Sequence, residues 1–258
     1  MFREQFRFQL PAVVNFVGGG GKTSLILTLL REYAGSTPVI YTTTTRIHPP
    51  DPSTGLMTLA CDDMELLALI VDRIGRMQRP DYCSLVVTRR GLRPDLLQGV
   101  SPAFASSLDG DLYPLILNEA DGARSMSLKM PREGEPVLME GARYLVPVIG
   151  LDCLGKPLGP DSLFRWEMAA SRFSLKAGEI ITADLAARLL LHPQGVCKDR
   201  PPGVRIIPFI NKADTSALDA QARELAHAIL TRGSFPIERV VWGSLRAARA
   251  ASTSAYTQ

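Results

Sequence analysis

Short apolar runs alternate with stretches of helical spacing along nearly the whole chain. Val13, Val14, Phe16 and Val17 read as a buried strand after a mixed lead-in at 1–10. Leu25, Ile26, Leu27, Leu29 and Leu30 follow at the spacing of a helix, predicted over 22–34 with Gly35 as its C-cap. Further strands are predicted at 38–41, 83–88, 113–119, 145–151, 204–210 and 239–242. A helix is predicted at 62–76, where Met64, Leu67, Leu69, Ile70, Val71 and Ile74 follow the capping acids Asp62 and Asp63. Others are predicted at 162–173, 183–192 and 217–231, with a short one from Ser101. Such alternation predicts an α/β fold: a doubly wound, mostly parallel sheet with helices on both faces. No linker or repeat divides the chain. A single domain over 1–258 is expected, with an inserted lobe around 124–145 and a frayed tail at 246–258.

Composition changes this picture little. The chain has 258 residues, 46% apolar and 21% charged, enough to bury a substantial core. Its net charge of +3 gives no argument for nucleic acid or a membrane surface as partner. No apolar run reaches membrane-spanning length and the first residues do not open a signal peptide, so a cytoplasmic protein is expected. Cys61, Cys83, Cys153 and Cys197 are widely spaced and far from His48, His192 and His227. They are expected to be small buried hydrophobes rather than zinc ligands or disulfide partners.

Candidate chemistry begins where the first strand meets the first helix, at Gly18-Gly19-Gly20-Gly21-Lys22-Thr23-Ser24. Successive N–H groups of a glycine-rich turn at a helix N-terminus form an anion site. Lys22 is placed to reach terminal phosphates and the Thr23 hydroxyl to bind magnesium. The longer pattern G-x-x-x-x-G-K-[ST] fails, because Phe16 stands where its first glycine belongs. What remains is the shorter Gly18-x-x-Gly21-Lys22-Thr23.

Three later stretches add to this loop. Thr42, Thr43, Thr44 and Thr45 end the second strand, at the sheet edge where open α/β folds bind ligands. Threonine is also a good strand residue, and the two readings stand level for the group, with function favoured for at least one of them. Glu119 and Asp121 end an apolar strand, where one of the two acids would bind magnesium. Gly122 behind them would let backbone approach the terminal phosphate, and Arg124 is the best of the candidate phosphate arginines Arg89, Arg90, Arg124 and Arg165. Asp152-x-x-Gly155 imitates the same acid-and-glycine signature and ranks below it. Asn211-Lys212-Ala213-Asp214 fits the N-K-x-D pattern of guanine readers. A carboxylate at Asp214 accepts both N–H groups on the N1–N2 edge of guanine, whereas N1 of adenine is an acceptor that repels it. Lys212 would lay its stem over the base and Asn211 would tie back to the glycine loop. The competing reading is a turn that caps the helix beginning near Ser216, and guanine is favoured over adenine.

Val17-Gly18-x-Gly20-Gly21-Lys22-Thr23, Thr42 to Thr45, Glu119-Ala120-Asp121-Gly122-Ala123, Lys129-x-Pro131-x-x-x-Glu135-Pro136 and Asn211-Lys212-x-Asp214 together resemble the YqeC family. The resemblance implies an accessory protein of selenium-dependent molybdenum hydroxylases, with a molybdenum cofactor precursor and a hydroxylase apoenzyme as partners. The chain departs from that pattern at Phe164-Arg165, where His-Arg is expected. The motif order is also similar to the nickel-insertion GTPases of hydrogenase and urease, which implies slow GTP hydrolysis and a homodimer around nucleotide. Their metal-binding Cys and His motifs have no counterpart here. The expectation is a Mg2+-dependent NTPase taking GTP in preference to ATP, with Lys22, Glu119, Asp121 and Arg124 catalytic. Thr23, Glu119 and Asp121 would hold the metal; Gly18 to Ser24, Thr43, Thr44, Gly122, Asn211, Lys212 and Asp214 would surround the nucleotide. The alternatives are a phosphoryl- or nucleotidyl-transferase or ligase using ATP on a cofactor precursor, and a nucleotide-sensing module that does not hydrolyse.

Overall fold

The computed structural model describes residues 1–77, 84–93, 95–108, 110–232 and 237–254. In chain order the elements are α1 (Phe2–Phe6), β1 (Ala12–Gly18), α2 (Lys22–Tyr33), β2 (Val39–Thr43), β3 (Arg46–Ile47), β4 (Met57–Ala60), α3 (Met64–Arg76), β5 (Ser84–Arg93), β6 (Leu96–Gln98) and β7 (Leu115–Glu119). Then come β8 (Tyr144–Gly150), α4 (Trp166–Phe173), α5 (Ala183–Leu191), β9 (Arg205–Ile206), β10 (Phe209–Asn211), α6 (Ser216–Thr231), β11 (Arg239–Ser244) and β12 (Arg249–Ser254). The strands are ordered β12-β11-β10-β8-β1-β7-β2-β5-β6-β3, with β4 beside β5 and β9 beside β8. Pairing is parallel from β11 through β5, and antiparallel where β12, β6 and β3 join.

The parallel strands are apolar on both sides because helices cover both sides. Val14, Phe16, Leu117, Val146 and Phe209 pack with Leu25, Ile26 and Leu29 of α2 and with Phe2 and Phe6 of α1. Val17, Leu145, Ile149, Ile210 and Val240 point the other way, into a cluster with α4, α5 and α6. On that same side Ile40, Val87 and Ile116 meet Leu67 and Val71 of α3. The chain enters at the centre with β1 and moves out to β2 and β5. It then returns as β7, between β1 and β2, and crosses to the far side as β8, β10 and β11. The reversal at β1 leaves a crevice at the C-terminal strand ends, the place where such sheets bind ligands.

Several expectations change. The strand expected over 204–210 is two pieces, β9 and β10, because Pro208 has no N–H to give the ladder. Pro147 in β8 has the same parity as Leu145, whose carbonyl accepts from Ile207 N, so its own missing donor faces that interruption. The helix expected over 162–173 starts at Trp166. The stretch expected to fray at 246–258 carries β12, paired with β11 from Arg239↔Ser254 to Ser244↔Arg249; residues 255–258 lie outside the described ones. The expected lobe around 124–145 is built into the body of the fold: it carries no named helix or strand before β8, yet Leu128, Lys129, Met130 and Met139 are buried. Asn15 clamps that stretch, accepting from Met139 N at 3.0 Å and donating to Met139 O at 3.2 Å. Cys153 and Cys197 are buried, which pushes both thiols up to about 12, Cys61 is half-buried, and Cys83 lies outside the described residues. No helix among the described residues is long and apolar enough to cross a membrane.

Candidate functional site

The glycine loop leaves β1 and enters α2 without a side-chain cap, and the first turn of α2 holds no acid. Its uncompensated N–H groups make the helix start a favourable place for an anion. Two of the glycines show why nothing larger fits. Gly21 has φ 122°, and a Cβ there would lie 2.6 Å from Asn211 Nδ2; at Gly18, φ 90°, it would collide with the Val148 carbonyl. The amides of the first three glycines are not aimed outward, as the sequence suggested. Gly18 N donates to Asp121 Oδ2 at 3.0 Å, Gly19 N to Val148 O at 2.9 Å and Gly20 N to Met126 O at 2.9 Å. An anion at this turn would therefore have to be met by the helix start at Gly21, Lys22, Thr23 and Ser24. The reason is burial: Gly18 to Gly20 lie inside the fold, where an amide without a partner is costly.

Lys22 is 4% exposed and faces the acids that end β7. Its Nζ donates to Gly18 O at 2.7 Å and lies 3.1 Å from Asp121 Oδ1 and 3.7 Å from Glu119 Oε1. Burial opposes its charge, but the two carboxylates outweigh burial and hold its pKa above the ordinary lysine value. Glu119 Oε2 accepts from Thr23 Oγ1 at 2.8 Å and from the Tyr41 hydroxyl at 3.1 Å. Burial and the neighbouring Glu119 push the Tyr41 phenol well up, so it stays a donor. Asp121 Oδ2 accepts from Gly18 N and lies 3.0 Å from Lys129 Nζ, while its Oδ1 faces Lys22 as an ion pair without a hydrogen bond. Lys129 is fully buried, donates to Gly122 O at 2.8 Å and pairs with Glu135 at 2.9 Å. Burial alone would raise the Glu135 carboxyl, but Arg165 and Lys129 bring it down to about 2. Arg165 grips it with both guanidinium nitrogens, at 2.7 and 3.0 Å.

The threonines expected beside the ligand serve the backbone instead. Thr42 donates to Val87 O at 2.6 Å, Thr43 to Glu119 O at 2.7 Å, and Thr44 to Val137 O. They fix the crevice wall by joining β2 to its neighbours. Arg124 is exposed and lies over the Phe164 ring at 5.2 Å, the ring that Arg165 also covers at 4.5 Å. Arg90 reaches Ala60 O at 3.4 Å.

The other end of the crevice is formed by the loop after β10. Asn211 Nδ2 donates to Gly20 O at 2.7 Å and so joins this loop to the glycine turn. Lys212, at φ 70°, is held by Ser127 Oγ and Asp152 Oδ2, each at 2.7 Å. Asp214 is exposed and accepts from the Ser244 hydroxyl. The cap of α6 is Thr215, whose hydroxyl accepts from Leu218 N at 3.3 Å, so Asp214 is not consumed as a helix cap. Lys212 and Asp214 instead line a cavity of about 540 Å³ together with Ser24, Leu27, Arg31 and Arg246. Sequence reasoning missed Tyr41, Ser127, Ser244 and the two cavity arginines, Arg31 and Arg246. The signal for Lys129 was present as a lysine set between Leu128 and Met130.

A family model described as "YqeC protein" matches residues 14–167. The uncharacterized protein YqeC of Escherichia coli (strain K12) is 31% identical over 205 residues, covering 78% of this chain and 76% of that one. No solved structure matches the chain. Sequence and family model agree, and the chain belongs to the YqeC family.

Proposed function

We propose that this chain binds a nucleoside triphosphate with magnesium, favours guanine over adenine, and hydrolyses it in the maturation of a selenium-dependent molybdenum hydroxylase cofactor. The observation that carries the nucleotide reading is adjacency: the cavity lined by Asp214 reaches Ser24, on the turn of α2 that holds Lys22 and Thr23. A nucleotide laid along it has its phosphates at the helix start and its base at Asp214. Lys22 and the N–H groups of Gly21 to Ser24 neutralise the phosphates. Thr23 Oγ1 and Glu119 Oε2, 2.8 Å apart, are oxygen donors that would hold magnesium. Bound there, the ion would supply charge neutralisation at the terminal phosphates. Glu119 fits this role better than Asp121, whose oxygens already face two ammonium groups and an amide.

At the base end, Asp214 supports guanine because its carboxylate accepts and cannot donate. Ser244 orients it and Arg249 steadies the loop by donating to Ala213 O at 2.9 Å. The role in cofactor maturation rests on the motif resemblance to accessory proteins. Phosphate release from GTP and Mg2+ by the purified chain, with no acceptor added, tests the hydrolytic step. Steady release is expected. Tight binding without release would overturn hydrolysis in favour of transfer or sensing.

A further inference from the structure

Asp121, like Glu135 further along, has a cation on each side. Lys22 stands 3.1 Å from Oδ1 and Lys129 3.0 Å from Oδ2, and all three side chains are buried. Lys129 is itself fixed by Gly122 O and by Glu135, which Arg165 holds bidentate. The order is therefore Lys22, Asp121, Lys129, Glu135, Arg165, with signs alternating along the row. In a desolvated place a carboxylate deprived of its cation is costly, and it holds whatever cation remains. Lys22 cannot serve a phosphate while it is the sole partner of Asp121.

We propose that Lys129 is a positioning residue for nucleotide binding: it keeps Asp121 neutralised, so that Lys22 is free to exchange Asp121 for a phosphate. This rests on the nucleotide reading above and assigns Asp121 a different part from metal binding. Asp121 is then the resting partner of Lys22, and it also holds the first loop amide through Gly18 N. Lys129 acts through Asp121 and does not touch phosphate.

The two parts separate in a four-protein comparison of Mg2+–GTP affinity, measured by calorimetry well below each thermal midpoint. Lys129→Met should bind about tenfold more weakly than the unsubstituted chain, in the range expected for members of one ion network. Asp121→Asn should bind at least as tightly as the unsubstituted chain, because Lys22 has lost its competing partner. The double variant Asp121→Asn/Lys129→Met should return to within a few-fold of the unsubstituted chain, a rescue that a phosphate-contacting lysine would not allow. If Lys129→Met does not fold, the double variant still decides, since it removes the charges as a pair. A folded double variant that fails to bind overturns the positioning role, as does an Asp121→Asn variant that binds much more weakly. Failure of the unsubstituted chain to bind at all overturns the nucleotide reading itself, and this inference with it.

Discussion

The two ends of the crevice are built by opposite means. At the glycine-loop end, proposed to take phosphates, Lys22, Asp121 and Lys129 are almost wholly removed from solvent, and their charges are matched within the fold. At the other end, proposed to take the base, Asp214 is exposed and Lys212 half-exposed, around a cavity of about 540 Å³. A buried, paired lysine is preorganised and fully charged, so it can meet any triphosphate with little rearrangement. It carries no information about the base. An open carboxylate on a cavity wall does the reverse: it adds little until a matching donor pair arrives, and it penalises a base that brings an acceptor. Under the proposed reading, affinity and selectivity would fall to different ends, joined by the Asn211 bond to Gly20.

The strongest way to break this division is at the phosphate end. Lys22→Ala should lower affinity for GTP and for ATP alike by about a hundredfold, the scale of truncating a desolvated charge contact. Calorimetry on both nucleotides checks that the loss is common to the two. Asp214→Asn should do something different, reducing the ratio of GTP to ATP affinity by about tenfold or more while leaving ATP binding nearly unchanged. Equal losses for both nucleotides would contradict the base-reading role. Ser244→Ala, which removes the hydroxyl donating to Asp214, should weaken that preference by about threefold, the worth of one hydrogen bond. The smallest effect belongs to Thr43→Val. Its hydroxyl bonds the Glu119 carbonyl, so about 1 kcal/mol of stability should go, with nucleotide affinity kept within about twofold.

Acid sharpens the same contrast. The carboxyl of Glu135 titrates at about 2 in the folded chain against 4.5 ordinarily. A depressed carboxyl stabilises the fold above its unfolded pKa, and that contribution fades as pH falls from about 4.5 toward about 2. In Glu135→Gln this part of the pH dependence should be missing, with lower stability at neutral pH. Denaturant unfolding at a series of pH values measures it. Base-end variants such as Asp214→Asn should leave that profile in place.

Much of the fold was legible because it is local. β1, α2, β7 and α6 announce themselves through apolar runs and helical spacing, and the glycine turn with Lys22 and Thr23 is contiguous. The acids of β7 were legible as strand-end groups, though not which of them is already paired. That depends on Lys129, carried in by a stretch without helix or strand whose course is fixed by Asn15, Asn118 and Thr44 across the sheet. Tyr41 looked like any strand aromatic until its hydroxyl was found on Glu119. The edge strand β12 was hidden because Arg249, Ala250, Ala251, Ser252, Thr253 and Ser254 have neither apolar bulk nor a clear period. Its pairing comes from β11. That Asp214 does not cap α6 depends on Thr215, one residue on, which takes the capping bond.

The most direct test of the account is a binding titration of GTP and of ATP, each with magnesium, against the purified chain. The account predicts that both bind and that GTP binds more tightly, by about tenfold or more. Binding of neither nucleotide would contradict the site; equal affinity for both would return Asn211 to Asp214 to an ordinary loop.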